Sequence, residues 1–287
     1  MLEIAQGVYI ENAYMGVTLG LITQLQGFLL IDAPPRPEDV RSWRMSVSSL
    51  GGGSERLLVN LDAHADRTLG VRAMECTVVA HEKTAMVFRN RPTAFKAQDV
   101  ATGAEWEQCN GLGTIRWAPP EITFSHRLHL HADDPSDAIL EYHPGPNPGG
   151  VWVVLPQAHV VFVGDAVVYP QPPFLANADL GEWMTSLELL LSPDYQGYLV
   201  VGGRSGLVSQ DQIRNQLAYL RVVAARLEEL AHQQVDPEET AALVPELIAS
   251  LAVPELRQEQ FSQRLQWGLY YYYIRHYRAV TEDPVEG

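Results

Sequence analysis

Short apolar runs rich in β-branched residues, each closed by a turn, fill the first two thirds of this chain and then stop. GVYI, GLITQL, GFLLIDA, RLLVNLDA and CTVVAH read as strands. After a loop-like, Pro- and Gly-punctuated stretch from about Arg91 to Pro120, the pattern resumes in EITFSHRLHLH, AILEYH, GVWVVLP, HVVFVGDAVV and GYLVVGG. Between them, DVRSWRMSVSSL and DLGEWMTSLELLLS have helical spacing. The mixture predicts two sheets covered by helices, an α/β or α+β layered fold. From Ser209 the period changes: Ile213, Leu217, Leu220, Ala224 and Leu227 share one helical face behind a Ser209–Gln212 capping box. A second helix start is expected at Asp236 as N-cap with Pro237 at the first helical position, and a last helix over RQEQFSQRLQWGLYYYYIRHY. No linker separates this helical tail from the strands.

With 287 residues, 46% of them hydrophobic, the chain can bury a substantial core. Its 35 acidic and 20 basic residues give a formal charge of −15. Such a surface repels phosphate backbones, so no nucleic-acid partner is expected. Two cysteines without CxxC spacing, Cys76 and Cys109, indicate neither a disulfide framework nor a thiolate zinc knuckle. The N-terminal MLEIAQGVYIENAYMG lacks a basic region followed by an apolar run, and no apolar segment reaches the roughly 18–20 residues that span a bilayer. The expectation is a soluble cytoplasmic protein with no membrane partner.

Residues 59–70, VNLDAHADRTLG, carry the chemistry. Asp62, His64 and Asp66 alternate in a loop after a strand, and imidazole with carboxylate suits zinc, iron or manganese. Alone, the pattern is weak; the bland reading is a polar turn closing a strand. Two later segments strengthen it. EYHPGPNPGG ends a strand with His143, and VVFVGDAVV places Asp165 at the end of a buried strand, where an isolated carboxylate is costly unless paired or metal-bound.

In this order, DAHAD, then YHPG, then VGDAVV, then VVGGRSG, the chain resembles the metallo-β-lactamase fold superfamily over roughly residues 5 to 210, with GFLLIDAPP and VVAHEKT similar to that family's early strands. The resemblance implies an α+β fold, an αββα sandwich of two mixed sheets flanked by helices, over residues 1–208, and a helical extension over 209–287 packed on the same domain. It implies that Asp62, His64 and His143, with Asp165 as the bridge, would hold a first metal. The second metal would need Asp66 and histidines at positions occupied here by Arg67 and, on the best alignment of VVGGRSG, Arg204. A guanidinium has only donors and does not deprotonate in proteins, so it cannot ligate a cation. A second metal is therefore not expected, and two arginines supply the same formal charge to Asp66 and Asp165. Alternatively, Arg67 or Arg204 clamps an anionic substrate.

Two functional readings follow. In the first, one divalent metal (zinc, or iron or manganese) activates water against a small ester, lactone or thioester, with Asp66 or Asp165 handling the proton and Arg67 or Arg204 holding developing negative charge. In the second, a metal-free, non-catalytic member binds or scaffolds. His126, His129 and His131 of SHRLHLH read as a solvated strand face, and His81 as structural. GGGS at 51–54 and GLGT at 111–114 read as turns. The run Tyr270–Tyr273 with Trp267 and Tyr277 reads as a homodimer contact, with packing onto the chain's own core as the alternative.

Overall fold

In GFLLI the alternate residues serve two different cores. Phe28 and Leu30 pack with Val40, Trp43 and Val47 of a helix on one side of their sheet. Leu29 and Ile31 face Val153, Leu155 and Phe162 of a second sheet on the other. VWVVL does the same from the opposite side: Val151, Val153 and Leu155 point between the sheets, whereas Trp152 and Val154 meet the outer helices. Period-two alternation with both faces apolar is what a sheet covered on both sides requires. The structure, a computed structural model, describes residues 1–51, 53, 55–96, 101–132 and 137–278.

The first sheet runs β1 (Leu2–Ala5), β2 (Val8–Glu11), β3 (Leu19–Gln24), β4 (Gly27–Ile31), β5 (Glu55–Val59) and β6 (Thr77–His81), antiparallel up to β4 and parallel from β4 to β6. β7 (Ala94–Lys96) and β8 (Thr114–Arg116) form a separate hairpin, and β9 (Ile122–Phe124) completes the first sheet beside β6. The second sheet runs β10 (Arg127–Leu130), β11 (Ala138–Tyr142), β12 (Val151–Leu155), β13 (Val160–Gly164), β14 (Leu199–Gly202) and β15 (Gly206–Val208). Helices α1 (Pro37–Ser49), α2 (Ala65–Thr68), α3 (Val71–Met74) and α4 (Glu82–Asn90) accompany the first sheet in sequence; α5 (Leu180–Leu190), α6 (Gln210–His232), α7 (Val244–Ala249) and α8 (Gln258–Tyr277) follow the second. This is the expected α+β, αββα arrangement. The tail helices share one cluster with the second sheet and α5, through Leu217, Leu220, Leu265 and Leu269.

Three local expectations need correcting. EITFSHRLHLH is two strands in different sheets, because β6 pairs only as far as His81–Phe124 and the chain then finds a new edge at β11. The stretch from Arg91 to Pro120 is not all loop: it contains β7, β8 and a 3-10 turn at Glu105–Gln108. Asp236 does not cap an α-helix; a 3-10 segment, Pro237–Leu243, follows it, and its carboxylate pairs with Arg278 instead. The Ser209–Gln212 capping box is present. Tyr272 and Tyr273 bury into the chain's own core, and Tyr271 stays exposed. Of the GGGS turn, Gly52 and Ser54 lie outside the described residues.

Candidate active site: an arginine-filled centre and the pocket beside it

Strand ends from both sheets converge on one edge of the sandwich. β4 delivers Asp32, whose Oδ1 accepts from the Leu61 backbone N–H at 3.0 Å. β5 leads into Asp62, which turns the chain by accepting from His64 N–H at 2.7 Å. His64 then caps α2, its Nδ1 accepting from Asp66 N–H at 3.3 Å. β13 ends at Gly164 and presents Asp165, and β14 ends at Gly202, two residues before Arg204. Gly203 is required here: a Cβ would lie 2.8 Å from Arg67 Nη1 and 2.9 Å from its Nη2.

Two guanidiniums fill the space between these carboxylates, and both side chains are wholly buried. Arg67 Nη1 donates to Asp32 Oδ2 at 3.0 Å, and its Nη2 donates to Asp165 Oδ1. Its Nε lies 3.2 Å from Asp62 Oδ1, a charge contact that lacks hydrogen-bond alignment. Arg204 grips Asp165 with two parallel bonds, Nε to Oδ1 and Nη2 to Oδ2, both 3.0 Å. Its Nη1 donates to Asp66 Oδ2 at 2.7 Å, Glu105 Oε2 at 2.8 Å and Gly16 O at 3.1 Å. Its Nη2 also lies 3.2 Å from His64 Nδ1. From the tail, Arg264 and Arg257 donate to the other oxygen of Glu105 at 2.6 and 2.7 Å.

The charges are strongly interdependent. Burial would raise the Asp165 carboxyl, yet Arg204 and Arg67 hold it far below its ordinary range. Burial opposes Glu105 in the same way, and Arg264 with Arg204 prevails and lowers it. Asp32 goes the other way: burial, aided by repulsion from Asp62, outweighs Arg67 and raises it to about 7. Asp66 is raised as well, by burial and by Glu105. Burial, then Arg204, pushes the His64 imidazole well below its usual value, so the ring is neutral. Since Nδ1 accepts from the Asp66 amide and faces an Arg204 donor, the proton belongs on Nε2.

This arrangement brings together Asp62, His64, Asp66, Arg67, Asp165 and Arg204, as the sequence implied, but not as ligands. His143 is not among them. Its ring stacks on Trp152 at 3.7 Å, with Nε2 3.4 Å from Glu141 Oε2. Asn147 instead reaches Asp62, Nδ2 donating to Oδ2 at 3.1 Å. The expected ligand set Asp62, His64, His143 and Asp165 therefore does not converge, and among the described residues no group of three or more His, Cys, Asp or Glu side chains is arranged to hold a metal. The donor set does not fit a divalent ion: both Asp165 oxygens accept from guanidiniums, and the His64 Nδ1 lone pair faces one. Asp66 and Asp165 are likewise engaged by guanidiniums. Arg67 and Arg204, expected alternatively as substrate clamps, do not line the neighbouring cavity.

Asp32, Glu105, Arg264, Asn147 and Phe174 were missed from the sequence. Asp32 carried the signal that marked Asp165, a carboxylate ending a buried strand in FLLIDA. Glu105 opens a short 3-10 turn and had none. Arg264 could have been flagged as a charge between Phe261 and Leu265, core residues of α8.

Beside the centre lies a cavity of about 350 Å³, bounded by His64, Arg91, Trp106, Asn147, Phe174 and Trp267 among others. Phe174 forms the wall between the two. Its ring centre is 4.6 Å from the Arg204 guanidinium carbon, 4.0 Å from that of Arg264 and 4.5 Å from the His64 ring centre.

Comparison with known proteins agrees with this architecture. The profile described as the metallo-beta-lactamase superfamily matches residues 71–201. A metallo-beta-lactamase from Pontibacter korlensis superimposes with a TM-score of 0.61 at 18% identity, covering 77% of this chain and 97% of that one. The DIM-1 metallo-beta-lactamase gives 0.59 at 15% identity, covering 77% and 95%. A double mutant of the sec-alkyl sulfatase PisA1 gives 0.64 at 15% identity and covers 99% of this chain, which spans 51% of that longer protein. A comparison with curated proteins returns no match. The profile match over residues 71–201 and the shared fold over 77% of the chain make it similar in sequence and architecture to the metallo-beta-lactamase superfamily.

Proposed function

We propose that this chain is a metal-independent member of the metallo-beta-lactamase superfamily, in which Arg67 and Arg204 carry the charge that metal ions would supply and the adjoining cavity binds a small molecule. The observation that carries this reading is the grip of Arg204, which engages Asp165, Asp66 and Glu105 and lies against His64 Nδ1. A cation could coordinate these groups only after displacing a buried guanidinium whose own charge is held firmly by them. Breaking such a pair leaves uncompensated buried charge, a cost of about 3–5 kcal/mol.

The competing reading is a mononuclear hydrolase using zinc, iron or manganese on a small ester, lactone or thioester. It draws on the named neighbours, which are lactamases and an alkyl sulfatase. It requires His143 to leave Trp152 and Asp62 to leave Asn147 and Arg67. Elemental analysis by mass spectrometry separates the two, on protein purified without added metal or chelator and again after incubation with excess zinc. Our reading expects far less than one equivalent in both samples and no change in Tm on adding a chelator. One equivalent of metal that disappears in His64→Ala would establish the hydrolase site instead.

A further inference from the structure

Arg91 stands apart from the other buried arginines. It follows α4, lines the cavity, and packs its guanidinium carbon 4.8 Å from the Trp117 ring centre and 5.3 Å from that of Phe88. Its Nη2 donates to Ala63 O at 2.7 Å; Nη1 is shielded from solvent without an acceptor, and Nε, also without one, is not shielded. Among the described residues no carboxylate lies within ion-pair distance of it. A partly buried guanidinium bonded to a single neutral carbonyl, with Asp62 acting on it only from beyond ion-pair distance, is poorly compensated. Around it the cavity offers flat apolar walls, Trp106, Phe174 and Trp267. One further donor is available: His64 Nε2–H, which has no protein acceptor and is not shielded from solvent.

We propose that the cavity binds a flat aromatic monocarboxylate, its carboxylate on Arg91 and its ring between Trp106, Phe174 and Trp267. This rests on the small-molecule reading above and gives it a ligand class. One unpaired guanidinium matches one negative charge, and planar bidentate pairing is what a carboxylate provides. Aromatic walls favour a flat ring over an aliphatic chain through stacking. A cavity of about 350 Å³ admits a one- or two-ring acid and little more. The formal charge of −15 over the whole chain disfavours polyanions, so the recognised charge must be met locally.

The test is titration of the full chain with benzoate and indole-3-carboxylate against their amides, benzamide and indole-3-carboxamide, followed by calorimetry and tryptophan fluorescence. The acids are expected to bind at least tenfold tighter than the amides. In Arg91→Gln that preference disappears, in Arg91→Lys it survives in part, and the circular dichroism and Tm of both variants stay near wild type. Trp267→Ala weakens acid and amide together. Equal binding of acid and amide in wild type, or an acid preference that survives Arg91→Gln, overturns the assignment of Arg91. Failure of all four probes to bind overturns the ligand class. Neither failure touches the metal-independent reading, which fails only if the elemental analysis returns stoichiometric metal.

Discussion

Arg204 and Arg91 are the same side chain in neighbouring parts of one molecule, used in opposite ways. Arg204 is wholly buried, with three carboxylates within 3.0 Å of its nitrogens. Arg91 has a carbonyl, two aromatic rings and an open cavity. Burial alone does not decide what a guanidinium does; its partners do. One surrounded by carboxylates is structural, because every nitrogen is engaged before any ligand arrives. One with a neutral carbonyl and a cavity keeps unmet hydrogen-bonding capacity and is suited to binding.

The sharpest way to break this contrast is Arg204→Met, which leaves Asp165, Asp66 and Glu105 without their shared cation. We expect a loss of about 3–5 kcal/mol in urea denaturation; a loss below about 1 kcal/mol would show that the centre is not the structural element described here. Next comes Glu105→Gln, which weakens the link from the centre to Arg257 and Arg264 of the tail. About 2–3 kcal/mol should be lost, with amide exchange accelerated first in α8. Uniform acceleration over the whole chain would argue against a specific tie.

Acidity tests the centre from another side. Glu105 and Asp165 are depressed in the folded state, so their contribution is present above the unfolded carboxylate range, about pH 4, and is lost as pH falls below it. Asp32 is raised to about 7, so the folded state binds a proton the unfolded state has released, and stability declines between about pH 4 and pH 7. A Tm profile from pH 3 to 8 should peak on the acid side of neutrality, and Asp32→Asn should flatten the decline by about 2–4 °C. A decline unchanged in that variant would assign it to other groups. The smallest expected effect is on the other side of the comparison: Arg91→Gln gives up one bond to Ala63 O and two ring contacts and should cost no more than about 1.5 kcal/mol. A large loss would make Arg91 structural and erase the contrast.

Much of the scaffold was legible in order along the chain. Alternating runs such as GFLLI and VWVVL announce strands covered on both faces, and the change of period at Ser209 announces the helical tail. That Arg67 and Arg204 would stand opposite Asp165 was implied by the resemblance of the ordered motifs to a known family, not by any local pattern. The strand pair hidden in EITFSHRLHLH was not legible, because nothing local tells a continuous strand from one that changes sheets.

The layering and most of the strands and helices can therefore be read from the amino-acid order, and so can the incapacity of two arginines to hold metal. Burial repeats with the local backbone period, and a guanidinium cannot ligate metal in any fold. Tertiary packing is what lets Glu105, from its 3-10 turn, join Arg204, just after β14, to Arg264 of the tail. It alone turned His143 onto Trp152 and left Arg91 facing a cavity. Such contacts join residues far apart in the chain, and the direction of each side chain is set by the packing and charge of neighbours that no local pattern records.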